Sequence, residues 1–262
     1  MKLEVKNGCF GYGNKTILKD INLEIGEDTI MTVLGPNGVG KTTMLKCIMG
    51  FLKWNSGENY LDGRKLSSYT DKEFWKKTGY VPQAKKGVFS YRCIDAIVMG
   101  LNSRQNFFEV PSKEDYEKAE NIMEMLGIQK LANKFCNALS GGELQMVMIA
   151  RALISEPELI ILDEPESNLD MKNQLRVIDT IVKISNEYHT SCLINTHFPD
   201  HALAISDTTL MLGYNNQQLM GKTDEIVTEE NIQQFFNVCS KIVSFQISSE
   251  EYKTIFPYKV AR

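Results

Sequence analysis

Three short stretches are apolar at almost every position: residues 30–34, 159–162 and 191–195. An unbroken apolar run of that length predicts a strand covered on both faces, as in a parallel sheet wrapped by helices. Residues 3–9 and 21–25 instead alternate apolar with polar side chains, which predicts half-exposed antiparallel strands. Between about residues 88 and 153 the period lengthens to that of helices. Tyr116, Ala119, Ile122, Met123 and Leu126 share one face of a helix that opens at the capping pattern Ser112-Lys113-Glu114-Asp115 and stops at Gly127. The expected fold class is therefore α/β: a mainly parallel core sheet, a small antiparallel β subdomain and an inserted α-helical subdomain (about 88–153), all in one domain spanning 1–262. The last 25 or so residues, about 237–262, form a C-terminal extension whose pattern predicts no element.

Composition narrows the function classes. The chain has 262 residues, 43% hydrophobic and 24% charged, which is enough for a sizeable core. A formal net charge of −4 argues against a surface that coats nucleic acid. No stretch reaches the roughly 18 consecutive apolar residues of a membrane-spanning helix, and the first residues lack the apolar centre of a signal peptide, so a cytoplasmic location is expected. The six cysteines lie far apart without a C-x-x-C pair and read as reduced, mostly buried small hydrophobes.

Candidate chemistry sits at the ends of the apolar strands. Residues 35–43, Gly-Pro-Asn-Gly-Val-Gly-Lys-Thr-Thr, follow the first of them and fit the phosphate-binding pattern G-x-x-x-x-G-K-[ST]. Glycines at 35, 38 and 40 let backbone N–H groups turn toward phosphates, Lys41 supplies a charge for the β and γ oxygens, and Thr42 would ligand Mg2+. Asp163 and Glu164 end the second run. Asp163 would join the magnesium shell while Glu164 orients and deprotonates an attacking water, although Asp-Glu-Pro is also an ordinary way to end a strand. Ser140-x-x-Glu143 is an N-cap box before a helix over 144–153. Capping does not explain Gly141 and Gly142, two poor helix formers that suit close approach of an anion to the backbone.

With these motifs the chain resembles the nucleotide-binding subunit of an ATP-binding-cassette (ABC) transporter, from about Leu3 to Phe236. Residues 35–43 correspond to the Walker A motif, Leu139 to Glu143 to the signature, Asp163-Glu164 to the end of Walker B, and Ser167-Asn168-Leu169-Asp170 to the D-loop. The resemblance implies a P-loop NTPase fold, ATP and Mg2+ as cofactors, and ATP hydrolysis coupled to transport. It further implies that Tyr12 stacks on adenine, that Gln83 is the Q-loop residue sensing magnesium, and that His197 is the switch histidine near the γ-phosphate. Taken singly, these three residues read more readily as a packed ring, a solvated amide and a structural hydrogen-bonder, and it is the run of motifs in order that assigns them to the nucleotide. The nucleotide-contacting set it implies is Tyr12, Gly35, Asn37, Gly38, Gly40, Lys41, Thr42, Thr43, Ser140, Gly141, Gly142, Glu143 and Asp170. Glu164, His197, Gln83 and Lys41 carry catalysis, and Thr42, Gln83 and Asp163 the metal. Two positions depart from the pattern: Glu166 replaces the usual Thr, either raising the pKa of Glu164 or pointing into solvent, and Glu143 stands where many members have Gln.

Residues 98–101, 111–115, 139–145 and 169–174 are similar to importer ATPases for iron–siderophore, haem and vitamin B12, with manganese, zinc or molybdate importers as alternatives. That likeness implies an integral membrane permease, a second copy of the chain in an ATP-dependent homodimer, indirectly a substrate-binding protein, and a place on the cytoplasmic face of the membrane. A soluble ABC ATPase acting without transport is the other class, but DNA-repair members carry long coiled-coil insertions and translation factors two cassettes, neither present here. In the family a permease helix docks beside the Q-loop, so Val88, Phe89, Tyr91 and Phe107 are expected to include its contacts.

Overall fold

The computed structural model describes residues 1–83, 90–103 and 110–261. The chain runs β1 (Leu3–Tyr12), β2 (Lys15–Ile25), β3 (Ile30–Leu34), α1 (Lys41–Ile48), β4 (Ser56–Leu61), β5 (Arg64–Lys65), α2 (Asp71–Lys77) and β6 (Thr78–Val81). Then come α3 (Cys93–Val98), α4 (Lys113–Met125), α5 (Gly141–Leu153), β7 (Leu159–Asp163), α6 (Met171–Tyr188) and β8 (Ser191–Thr196). It finishes with α7 (Pro199–Ile205), β9 (Thr208–Leu212), β10 (Gln218–Lys222), α8 (Thr223–Ile226), α9 (Glu229–Phe236), β11 (Val238–Ile247) and β12 (Glu250–Val260). Two compact units result: Met1–Ser68 with Leu193–Arg262, and Tyr69–Cys192.

In the first unit, β2-β1-β4-β5 form an antiparallel sheet whose alternation buries Leu3, Val5, Leu23 and Ile25. A second layer holds β10, β9 and β3 in that order, then β8; β3 and β9 run parallel, and β10 is antiparallel to β9. Every residue of β3 is buried, as expected of a strand covered on both faces. The buried amide of Asn59 locks α1 to β4: its Nδ2 donates to the carbonyls of Cys47 and Ile48 while its Oδ1 accepts from Trp54. These are carbonyls that a helix end leaves without intrahelical partners.

In the second unit, β6 lies parallel to β7, and the N–H of Ser191, at the head of β8, donates to the carbonyl of Glu158. The α4 helix has the full capping box, Ser112 and Asp115 exchanging bonds, and stops where Gly127 turns left-handed at φ +63°. Arg176 of α6 donates to the carbonyls of Leu126 and Gly127, so the end of α4 is satisfied by another helix. Four of the six cysteines are buried. Among the described residues no helix is long and apolar enough to cross a membrane.

The C-terminal stretch folds as an antiparallel hairpin, β11 with β12. Ile242 and Ile255 pack on a core of Leu34, Ala202, Met211, Ile226, Ile232 and Phe235.

Candidate functional site

In the first unit the loop after β3 is shaped by its glycines. A Cβ on Gly35 would lie 2.2 Å from the carbonyl oxygen of Leu212, so no other residue fits there without moving β9. Gly38 (φ +85°) and Gly40 (φ +109°) occupy backbone conformations that L side chains rarely adopt. The α1 helix that follows has no side-chain cap and no acid in its first turn, which leaves its leading N–H groups suited to an anion. The buried Lys41 bends back over the loop, its Nζ donating to the carbonyls of Gly35 (2.7 Å) and Pro36 (3.1 Å). Thr42 is exposed and its Oγ1 accepts from Asn195 Nδ2 at 3.4 Å; Thr43 is half-buried. The carbonyl of Asn37 accepts from the Tyr214 hydroxyl at 3.2 Å. His197, just past β8, packs its ring 4.2 Å from that of Phe198. Tyr12 meets Phe10 edge-on and is 58% exposed, so packing does not consume it. A strong local cradle for a phosphate chain and a magnesium-competent hydroxyl are therefore both present.

In the second unit Asp163 ends β7 and is buried. Burial first, and the Asp163 charge second, push the Tyr80 phenol up to about 12. Glu164 takes φ +48°, a left-handed conformation that costs a non-glycine residue roughly 1–2 kcal/mol. The turn holds it there. Ser167 N–H donates to the Glu164 carbonyl at 3.1 Å, Ser167 Oγ to Oε2 at 2.9 Å, and Gln83 Nε2 to the same oxygen at 3.4 Å. Gln83 is thus half-buried against the acid rather than a freely solvated amide. Of the two readings of Glu166, the one that points it into solvent is corrected: its side chain is fully buried, turned inward just past the strand end.

The signature segment caps α5. Ser140 and Glu143 form a complete box: Glu143 N–H donates to Ser140 Oγ, and Ser140 N–H donates to Glu143 Oε2 at 3.0 Å. These bonds, with Lys134 at 3.4 Å, hold the Glu143 carboxyl below its ordinary range. Gly142 has a packing reason as well, because a Cβ there would lie 2.3 Å from the side chain of Asn173. Gly141 meets only ordinary contact with Leu169. Asp170 caps α6, accepting from Asn173 N–H at 2.8 Å.

The sequence reading gave no role to Asn195, to Ser167 of the D-loop, to Asn173 or to Tyr214. The first two stand inside recognisable motifs beside Thr42 and Glu164, and their polarity was a usable signal; Tyr214 offered none. Of the expected docking residues, Val88, Phe89 and Phe107 lie outside the described residues. Tyr91 is exposed beside an isolated bridge pairing Arg92 with Phe135.

The sequence pattern of the ABC transporter family matches residues 18–167, more than half of the chain. The chain belongs to the ABC transporter family. Members of this ABC ATPase family bind and hydrolyse ATP, and the fold described above is theirs. A probable iron chelatin transport ATP-binding protein of Helicobacter pylori is 33% identical over 90% of this chain and 93% of its own. The molybdate import ATP-binding protein MolC of Haemophilus influenzae is 32% identical over 90% and 88%. Among solved structures, a chain of an ABC transporter assigned to the metal-chelate type, in an inward-facing conformation, is 30% identical with a TM-score of 0.87, covering 98% of this chain and 97% of that one. An ATP-binding cassette solved as a dimer with ADP and phosphate is 27% identical with a TM-score of 0.72, covering 84% and 98%.

Proposed function

We propose that this ABC ATPase energises an importer of a metal chelate, of the iron–siderophore, haem or cobalamin kind. The observation that carries the cargo class is the end-to-end likeness to the metal-chelate type transporter chain, which extends through the C-terminal hairpin, together with the iron chelatin relative. Molybdate is the second reading, favoured by a relative of nearly equal identity.

In this reading the first-unit loop formed by Gly35, Asn37, Gly38, Gly40, Lys41 and Thr43 holds the phosphates. Lys41 exchanges its two carbonyl bonds for the β and γ oxygens, and Tyr12 stacks on the base. Magnesium, when bound, neutralises phosphate charge; Thr42, Gln83 and Asp163 would hold it. Glu164 orients the attacking water and accepts its proton. The bond from Gln83 to the same carboxylate oxygen ties the acid to the metal-sensing residue. His197 steadies the γ-phosphate. Catalysis is then mainly positioning and charge stabilisation. Ser140, Gly141, Gly142, Glu143 and Asp170 act on the nucleotide of a second copy, so that two identical chains complete two sites by twofold symmetry. The dimer attaches to a membrane permease on the cytoplasmic face, with a substrate-binding protein delivering cargo and Tyr91 among the docking contacts.

Affinity purification of the tagged chain from its native membrane tests this. A polytopic membrane subunit should co-purify, and cells carrying Glu164→Gln should lose uptake of a radiolabelled iron chelate while keeping molybdate uptake. Loss of molybdate uptake alone moves the cargo to the second reading, and co-purification of ribosomes or DNA without a membrane protein contradicts transport.

A further inference from the structure

The C-terminal hairpin is fastened to the first turns of two helices. Ile242 of β11 and Ile255 of β12 oppose one another, and each donates its N–H to a carboxylate. For Ile242 the acceptor is Glu229, the first residue of α9, at 3.1 Å; for Ile255 it is Asp200, the second residue of α7, at 2.7 Å. The same Asp200 oxygen also accepts from Thr254 Oγ1 at 2.9 Å. Beside these bonds the Ile242 and Ile255 side chains share a core with Ala202 and Leu203 of α7.

The α7 attachment leads straight to His197. Asp200 stands three residues after it in the chain. The Phe198 ring between them lies 4.2 Å from the ring of His197 and 5.0 Å from that of His201 on α7, so the three rings form one packed row. On its other side His197 follows Thr196, the last residue of a strand buried along its whole length. One flank of the histidine is therefore set by the core sheet and the other by α7. That helix cannot set its own place: it has seven residues, and Phe198 at its N-cap makes no side-chain capping bond. Isolated helices shorter than about 12 residues are marginal in water, so the position of one this short comes from what it is tied to. Asp200 is the acid of its first turn, and its carboxylate takes two donors from β12, a charge-assisted arrangement stronger than a neutral bond.

We infer that Asp200 is a positioning residue for ATP hydrolysis: it ties α7 to the C-terminal hairpin and so holds His197 at the γ-phosphate. The hairpin is then a brace for the switch histidine, built from a stretch outside every nucleotide motif. This rests on the assignment of His197 to the γ-phosphate proposed above. Because Asp200 spends its carboxylate on β12, its effect falls on the rate of hydrolysis rather than on nucleotide affinity, and it passes through His197.

The test is a double-mutant cycle in the full chain, read by single-turnover hydrolysis of radiolabelled ATP and by equilibrium binding of a non-hydrolysable ATP analogue. Asp200→Ala should slow hydrolysis about five- to tenfold, while the analogue binds one per chain with a Kd within about twofold of the parent's. Asp200→Asn keeps an oxygen that accepts both bonds and should recover most of the rate. Thr254→Val, which removes one of the two donors from the hairpin side, should slow hydrolysis about two- to threefold and carries the same cycle if Asp200→Ala does not fold. In a His197→Ala background neither change should slow hydrolysis further, because the group they position is gone; a general loss of folded protein would multiply through instead. Unchanged rates in Asp200→Ala and Thr254→Val overturn the inference. So does a full further loss in the His197→Ala background, or failure of Asp200→Asn to recover the rate. A His197→Ala protein that hydrolyses ATP at the parent's rate contradicts the role of the histidine itself and removes both.

Discussion

Tyr214 holds the phosphate loop from outside any motif. Its hydroxyl reaches the Asn37 carbonyl across 177 residues of chain, from a turn in which Asn215 and Asn216 both take left-handed conformations. Because the bond is exposed and neutral, removing it should cost little, and the cost should fall on loop geometry. Tyr214→Phe is expected to raise the half-saturating ATP concentration about two- to threefold with unchanged maximal turnover; steady-state ATPase assays check this, and a fall in turnover at unchanged affinity would count against it. Such a contact is invisible in sequence because the acceptor is backbone, whose identity leaves no mark. Lys41 and Thr42 were legible for the opposite reason: phosphate chemistry demands particular side chains at a fixed spacing. Glu166 shows the limit, since nothing local says whether an acid after a strand turns out or in.

Helices and strands were legible where apolar side chains matched burial, as an unbroken run in a strand covered on both faces or as one stripe on a half-buried helix. The strands β3, β7 and β8 stand where unbroken apolar runs predict them, and α4 begins at its capping box and ends before Gly127. The hairpin of β11 and β12 was not legible because its face toward the core mixes Ile242 and Ile255 with Ser244, Gln246, Glu251 and Lys253, while the apolar Phe245, Ile247 and Tyr252 lie on the exposed face, the reverse of the usual burial pattern. The α5 helix carries a testable charge. Its Glu143 is depressed in the folded chain relative to an ordinary 4.5, so the unfolded state binds the proton more readily. The resulting stability is present above pH 4.5 and is lost as pH falls through the lower folded value. Glu143→Gln keeps the box geometry without the charge. At pH 7 it should melt below the native protein by an amount worth no more than about 1 kcal/mol, given its partial exposure, and the gap should close on acidification. Thermal melts of both proteins between pH 7 and 3.5 check this; a gap that widens in acid contradicts the assignment.

At the scale of the whole molecule, the first unit carries the phosphate loop, Tyr12 and His197, and the second carries Gln83, Asp163, Glu164 and the signature segment. A chain with both a phosphate cradle and a separate glycine-bearing helix start can be completed by its own copy, which is why hydrolysis and association should be inseparable. Glu164 is the residue that separates them experimentally: the amide of Glu164→Gln still accepts from Ser167 and Gln83 but takes no proton from water. Sedimentation velocity of the Glu164→Gln protein with and without Mg-ATP is the most direct measurement. A dimer that forms only with Mg-ATP, in a protein whose turnover has fallen by about a hundredfold or more, is the predicted result; a monomer at high concentration with ATP bound would contradict it.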